Sequence, residues 1–137
     1  MIEPFLLSTD PSVLDDLQRR LASTRLPPSP EKPGWEDGID LSYLADLVSH
    51  WRDRFDWRSQ EAALNRFAHL RGEIRGTPLH FIHERGRGPA PLPLVLAHGW
   101  PDRFYRFVKL IPLLTDPAAQ YGTGSPPSAL YIEAEVG

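Results

Sequence analysis

Cysteine is absent from this 137-residue chain. That excludes disulfides, thiolate metal sites and cysteine nucleophiles together. No apolar stretch approaches the ~20 residues that cross a bilayer, so no membrane partner is expected. The opening Met1-Ile2-Glu3-Pro4-Phe5-Leu6-Leu7 has no basic head and too short an apolar run for a secretory signal. A cytoplasmic location is the expectation. Lysine is scarce: Arg supplies 13 of the 15 cations, scattered and mostly near acids, and the net charge is −3. A chain without a basic face has no electrostatic case for nucleic acid or an anionic membrane surface.

What is present reads as one ordinary α/β domain with a helical start. Hydrophobic residues make up 41% and charged residues 24%, the balance of a globular core with a solvated surface. Residues 1–9 read as an extended arm anchored by Ile2, Phe5 and Leu7. Asp10-Pro11 opens a helix, because Asp accepts free N–H groups and Pro fits the first helical position. Val13, Leu14, Leu17 and Leu21 then share one face. The prolines from Pro27 to Pro33 forbid a helix there, and Gly34-Trp35 and Gly38 extend the loop. Asp37-Gly38 reads as structural. Asp40 caps a second helix, in which Leu44, Leu47, Val48 and Trp51 repeat at i, i+3, i+4 and i+7. Asp56 caps a third, running to about Phe67, with Ala63, Leu64 and Phe67 expected inside.

The hydrophobic period then changes from helix to strand. Leu70–Ile74, a turn at Arg75-Gly76 and Leu79–His83 predict a hairpin. Residues 85–91 predict a mobile loop. Leu92–Ala97 is a continuous apolar run, as in a strand covered on both faces. A turn at His98-Gly99-Trp100-Pro101 leads into a fourth helix carrying Phe104, Phe107, Val108, Ile111 and Leu114, closed by Asp116-Pro117. Residues 118–128 predict a linker, and Ala129–Val136 gives a weak strand signal.

Several patches together resemble one family. They are Leu14–Pro27, Tyr43–Glu61, Leu64-Asn65-Arg66-Phe67, His80-Phe81-Ile82-His83 and His98-Gly99-Trp100-Pro101. In this order they resemble the N-terminal region of microsomal-type epoxide hydrolases. The resemblance implies a helical extension over residues 1–68 and a partial α/β-hydrolase core over 69–117, with a divergent tail over 118–137. The fold class is thus α/β: a helical N-terminal extension followed by the first strands of an incomplete α/β-hydrolase sheet.

The same resemblance implies hydrolysis of an epoxide to a diol in two steps. An Asp attacks an epoxide carbon, lid tyrosines hydrogen-bond the epoxide oxygen, and a His with its carboxylate activates water against the resulting ester. Two backbone N–H groups hold the negative oxygen of the tetrahedral intermediate. By resemblance, the Trp100 N–H is one of them. Gly99 would let the chain turn where a Cβ might clash, Pro101 would hold a bent, cis-capable bond, and His98 would brace the loop through its ring nitrogens. Asp102 would cap the following helix, but its negative charge is unwelcome beside an oxyanion.

No strand followed by Gly-x-Asp-x-Gly appears, and no Gly-x-Ser-x-Gly. The likeness fades after Ala119, so the nucleophile, lid and catalytic His are expected beyond residue 137. The chain reads as a truncated copy, the tail scrambled by a frameshift near residues 119–125, and inactive alone. Self-association or a C-terminal partner half is the expectation for partners; the rival reading is an interaction module or the N-terminal half of a split hydrolase. No catalytic residue, cofactor site or metal site is assigned within the chain. His80 and His83, three apart on a strand, point to opposite faces and cannot share an ion. His50 and His69 read as ordinary. Asp56-Trp57 reads as a helix start, and Trp35, Trp51 and Trp57 as packing between extension and core.

Overall fold

The computed structural model describes residues 1–28, 34–36, 38–88, 90–122 and 129–136; residue 120 and the last eight are described by backbone alone. Contacts divide the chain into two units, Ser8–Gln60 and Met1–Leu7 with Glu61–Gly137.

The Ser8–Gln60 unit holds α1 (Pro11–Ala22), α2 (Leu41–Asp53) and the start of α3 (Trp57–Leu64). Each begins on an aspartate, as the sequence predicts. Asp10 accepts from the Ser12 N–H at 2.8 Å. Asp40 accepts from the Ser42 and Tyr43 N–H groups at 2.9 and 3.0 Å. Asp56 accepts from Arg58 at 2.9 Å. These bonds satisfy amides that have no partner within the helix. In all three the carboxyl is held below the usual carboxylate value, first by the hydroxyl of Ser12, Ser42 or Ser59 and then by the backbone amides. The helices form where the periodicity places them, but their apolar faces are largely open. None of α2 is buried. Val13, Leu47, Trp51 and Phe55 are exposed and line a groove of about 520 Å³ with Leu14, Leu17 and Trp57. The Trp57 indole N–H donates to Thr9 Oγ1 at 2.9 Å. Asp37 and residues 29–33 of the Pro-rich loop lie outside the described residues.

The other unit is built on a five-stranded sheet, β1 (Glu3–Pro4), β2 (His69–Ile74), β3 (Thr77–Glu84), β4 (Leu92–Leu96) and β5 (Ala129–Val136), in the order β1-β2-β3-β5-β4. β2 and β3 form the expected hairpin, Ile74 opposite Thr77. Arg75 and Gly76 both take positive φ, 53° and 82°, the backbone of a two-residue turn whose twist matches the strands. The N-terminal arm adds an edge: Glu3 and Pro4 pair with Arg71 and Leu70. Asn65 then pins the arm, accepting from the Leu7 N–H at 2.9 Å and donating to the Leu7 carbonyl at 2.8 Å.

Three expectations need correcting. Residues 118–128, read as linker, include most of α5 (Pro117–Tyr121), while 123–128 lie outside the described residues; the strand signal at Ala129–Val136 is borne out as β5, which lies inside the sheet, antiparallel to β3 and parallel to β4. Next, the fourth helix is not continuous: a 3₁₀ turn at Phe104–Phe107 precedes α4 (Leu110–Thr115). Pro112 is the cause, since it has no N–H and its ring would meet the carbonyl four residues back, so it is accommodated only in a first turn. Asp116-Pro117 both ends α4 and starts α5, with Asp116 accepting from the Ala119 N–H at 3.3 Å. Lastly, the 85–91 loop is tied at Arg87, whose N–H donates to the Thr115 carbonyl at 2.8 Å and whose guanidinium meets Asp116 at 3.0 Å.

The core lies on one face of the sheet. Ile82 and Ile111 are its most deeply buried side chains, with Phe67, Leu96, Phe104, Phe107 and Leu114 packed against them. Strand alternation sends Phe81 and His83 to the opposite face, where they line an open groove of about 600 Å³ with Leu70, Ile74 and Leu79. Val95 is 66% exposed, so β4 is not the doubly covered strand its apolar run predicts.

Candidate oxyanion turn and comparison with known proteins

β4 delivers the chain into a tight turn. The Gly99 carbonyl accepts the Asp102 N–H at 2.8 Å, and the Trp100–Pro101 peptide bond is cis. A four-residue turn closed this way with a cis-proline third is a type VI turn. It leaves the Trp100 N–H without a hydrogen bond among the described residues. The Trp100 side chain is 94% exposed. A backbone donor at the end of a strand, engaged by nothing in its own turn, is the kind of group that can hold a developing negative charge.

The neighbours differ from expectation in detail. His98 Nδ1 lies 3.4 Å from the Gly99 carbonyl, a long contact for a hydrogen bond, and its Nε2 is buried without a partner among the described residues. Among the described residues the Nδ1 contact is the one link the ring makes to the turn. Gly99 is not held by a steric need either: a Cβ there would meet nothing within 4 Å, and its φ is not positive.

Asp102 resolves its own difficulty. Its carboxylate accepts the Arg103 N–H at 2.9 Å and meets the Arg106 guanidinium. The Arg103 hydrogen bond first, then Arg106, and the nearby His98 charge keep the carboxyl below its usual value. The negative charge is thus present but paired, on the side of the 3₁₀ turn.

Sequence reasoning passed over the polar pair beneath this turn. His69 is buried, with Nε2 2.9 Å from the Leu64 carbonyl and Nδ1 3.0 Å from His80 Nε2. Register places His69 opposite Ile82 and His80 opposite Arg71, so the two histidines share a face. That alternation was available in the sequence once the hairpin was placed. His80 and His83 do lie on opposite faces, as predicted. Among the described residues no group of three or more His, Asp or Glu side chains gathers as a metal would need, and no helix is long and apolar enough to cross a membrane.

Comparison with known proteins shows the family and fold. The family model described as "Epoxide hydrolase N terminus" matches residues 2–107. A Stigmatella aurantiaca protein is 46% identical over 121 residues, which are 88% of this chain and 28% of that one. Epoxide hydrolase 1 of Sus scrofa is 41% identical over 120 residues, 85% of this chain and 26% of its own length. Among solved structures, an enantioselective epoxide hydrolase mutant from Aspergillus niger superposes with a TM-score of 0.80 at 28% identity, covering 98% of this chain and 35% of that chain. The chain spans about a quarter of the length of the curated relatives it matches. With the match running from the N-terminal arm through the turn and into the 3₁₀ segment, this chain belongs to the epoxide hydrolase N-terminal family, on an α/β-hydrolase fold.

Proposed function

We propose that this chain supplies one oxyanion donor, the Trp100 N–H, to an epoxide hydrolase, and that the 137 residues alone do not open epoxides. The observation carrying this reading is the turn at 99–102, closed by its own hydrogen bond while the central N–H has no partner among the described residues. Pro101 shapes that turn through its cis bond and the Gly99 carbonyl closes it, with the His98 ring beside it. In the reaction, an ester formed from the epoxide is attacked by water, negative charge builds on the former carbonyl oxygen, and a fixed N–H stabilises it without rearranging. The nucleophile, the base and the lid belong to parts of the enzyme not encoded in these residues. The natural partner is then a small-molecule epoxide in the complete enzyme.

The test uses the chain with a styrene-oxide-type substrate, alone and with a fragment corresponding to the remaining part of a relative such as the Sus scrofa protein. Alone it gives no diol above background; with the fragment, diol forms. Replacing Trp100 by its α-hydroxy acid, so that an ester oxygen stands where the N–H was, then lowers the reconstituted rate roughly 10²–10³-fold, the usual cost of one oxyanion donor. Unchanged turnover in that ester variant refutes the assignment. The open groove formed by Leu47, Trp51 and Phe55 favours a second reading, an interaction module. Binding to the fragment without any rescue of catalysis would support it.

A further inference from the structure

We infer that Asp102, held by Arg106, is a positioning residue that fixes the direction of the Trp100 N–H, a role in catalysis that rests on the oxyanion reading of that group. Between the end of β4 at Leu96 and the 3₁₀ turn at Phe104 the chain has no helix or strand. Its course there depends on a few bonds, and Asp102 makes three of them. The Asp102 N–H donates to the Gly99 carbonyl at 2.8 Å and closes the turn. One carboxylate oxygen accepts the Arg103 N–H at 2.9 Å. The other meets the Arg106 guanidinium. The first bond reaches back to the turn and the other two reach forward, so one residue joins the turn to the 3₁₀ segment.

The forward side is anchored in the core. The Arg106 N–H donates to the Arg103 carbonyl at 3.0 Å, and the 3₁₀ turn packs Phe104 and Phe107 against Ile82 and Ile111. Phe104 also stands edge-on to the buried His69 ring at 5.5 Å. The backward side has less to hold it. The Trp100 ring is 94% exposed, a Cβ on Gly99 would touch nothing within 4 Å, and the His98 contact with the Gly99 carbonyl is long, at 3.4 Å.

The decisive link is the peptide unit between Gly99 and Trp100. It is trans, and a peptide unit is planar, with its C=O and N–H pointing opposite ways. Holding the Gly99 oxygen therefore aims the Trp100 hydrogen. The support runs from the core through Phe104 and Phe107 to Arg106, from Arg106 to the Asp102 carboxylate, and from the Asp102 N–H to that oxygen. A donor aimed in advance stabilises a developing charge without having to reorganise. The Arg106 side chain is 67% exposed, so the pair adds little to overall stability; what it sets is direction.

The test has two arms. In the first, amide exchange of the whole chain is measured residue by residue by NMR in the wild type, Arg106→Met and Arg106→Lys. Methionine keeps the stem without charge or donors, and lysine restores the charge. The Asp102 amide should exchange roughly two- to fivefold faster in Arg106→Met, the range set by an exposed ion pair, and return towards the wild-type rate in Arg106→Lys, while the amides of β3 stay unchanged. An unaltered Asp102 rate, or a rise shared equally by β3, would overturn the inference. In the second arm, the chain reconstituted with the fragment is assayed for diol. Arg106→Met should lower kcat by a comparable factor at constant KM, because the donor it aims is used in the transition state, and should lower it no further in the Trp100 ester variant. A change in KM alone, or an equal further loss in the ester variant, would also overturn it. Wild-type turnover in the ester variant, beside an Asp102 amide that responds to Arg106, would refute the oxyanion reading while supporting the hold of Asp102 on the turn.

Discussion

Truncating Ile111 to Ala should cost several times more than truncating Val95, although both are apolar residues of the same unit. Ile111 is 1% exposed, wedged in the cluster with Ile82, Phe104 and Phe107. Ile111→Ala removes three carbons, about 2.4 kcal/mol at ~0.8 kcal/mol each. A cavity that its aromatic neighbours cannot fully close raises this to roughly 3–4 kcal/mol. Val95 is 66% exposed. Val95→Ala removes two carbons that have left only about a third of their contact with water, which comes to ~0.5 kcal/mol. Domains of this size hold only about 5–15 kcal/mol in all, so the first variant is near the limit of folding and the second is close to wild type. Urea unfolding followed by circular dichroism at several protein concentrations measures both. An Ile111→Ala chain that is already unfolded without urea agrees with the estimate. A Val95→Ala loss equal to that of Ile111→Ala refutes it, because it would mean that the outer face of β4 is covered in solution.

The open groove of the Ser8–Gln60 unit should drive concentration-dependent self-association, as exposed apolar patches do; Leu47→Glu or Trp51→Glu should then lower the mean mass seen by sedimentation velocity, and an unaltered mass would argue against the groove. Asn65→Ala removes both hydrogen bonds to Leu7 and should destabilise the arm by about 1–3 kcal/mol, visible as faster exchange and proteolysis confined to residues 1–7. The Asp102 carboxyl lies below its ordinary value in the folded chain, so it contributes stability that is present above about pH 4, the unfolded value, and is lost as pH falls through the folded value. Asp102→Asn should therefore flatten that part of the acid-unfolding curve and lower stability near pH 9, where the charge behind both the Arg103 N–H bond and the Arg106 pair is lost.

Local chemistry made much of the fold legible. Asp10, Asp40 and Asp56 announce three helices because a short carboxylate before a helical period has one good use. Arg75-Gly76 between two alternating runs announces the hairpin for the same reason of local backbone preference. The same logic, applied to Asp116-Pro117, would have found α5. The candidate turn was readable as four consecutive residues, yet its key property, an N–H without a partner among the described residues, was not, because hydrogen-bond partners are chosen by the folded backbone.

What the sequence determined by itself was where most helices and strands begin, since caps, turns and periodicity are written in neighbouring residues, while the family was legible through the resemblance of its ordered motif patches. Tertiary structure alone decided that β5 slips between β3 and β4, that His69 meets His80 eleven residues away, and that Val95 and Leu47 face outward while Ile82 and Ile111 face in. Periodicity gives every apolar face a direction but not a partner, and a partner exists only once distant segments have come together.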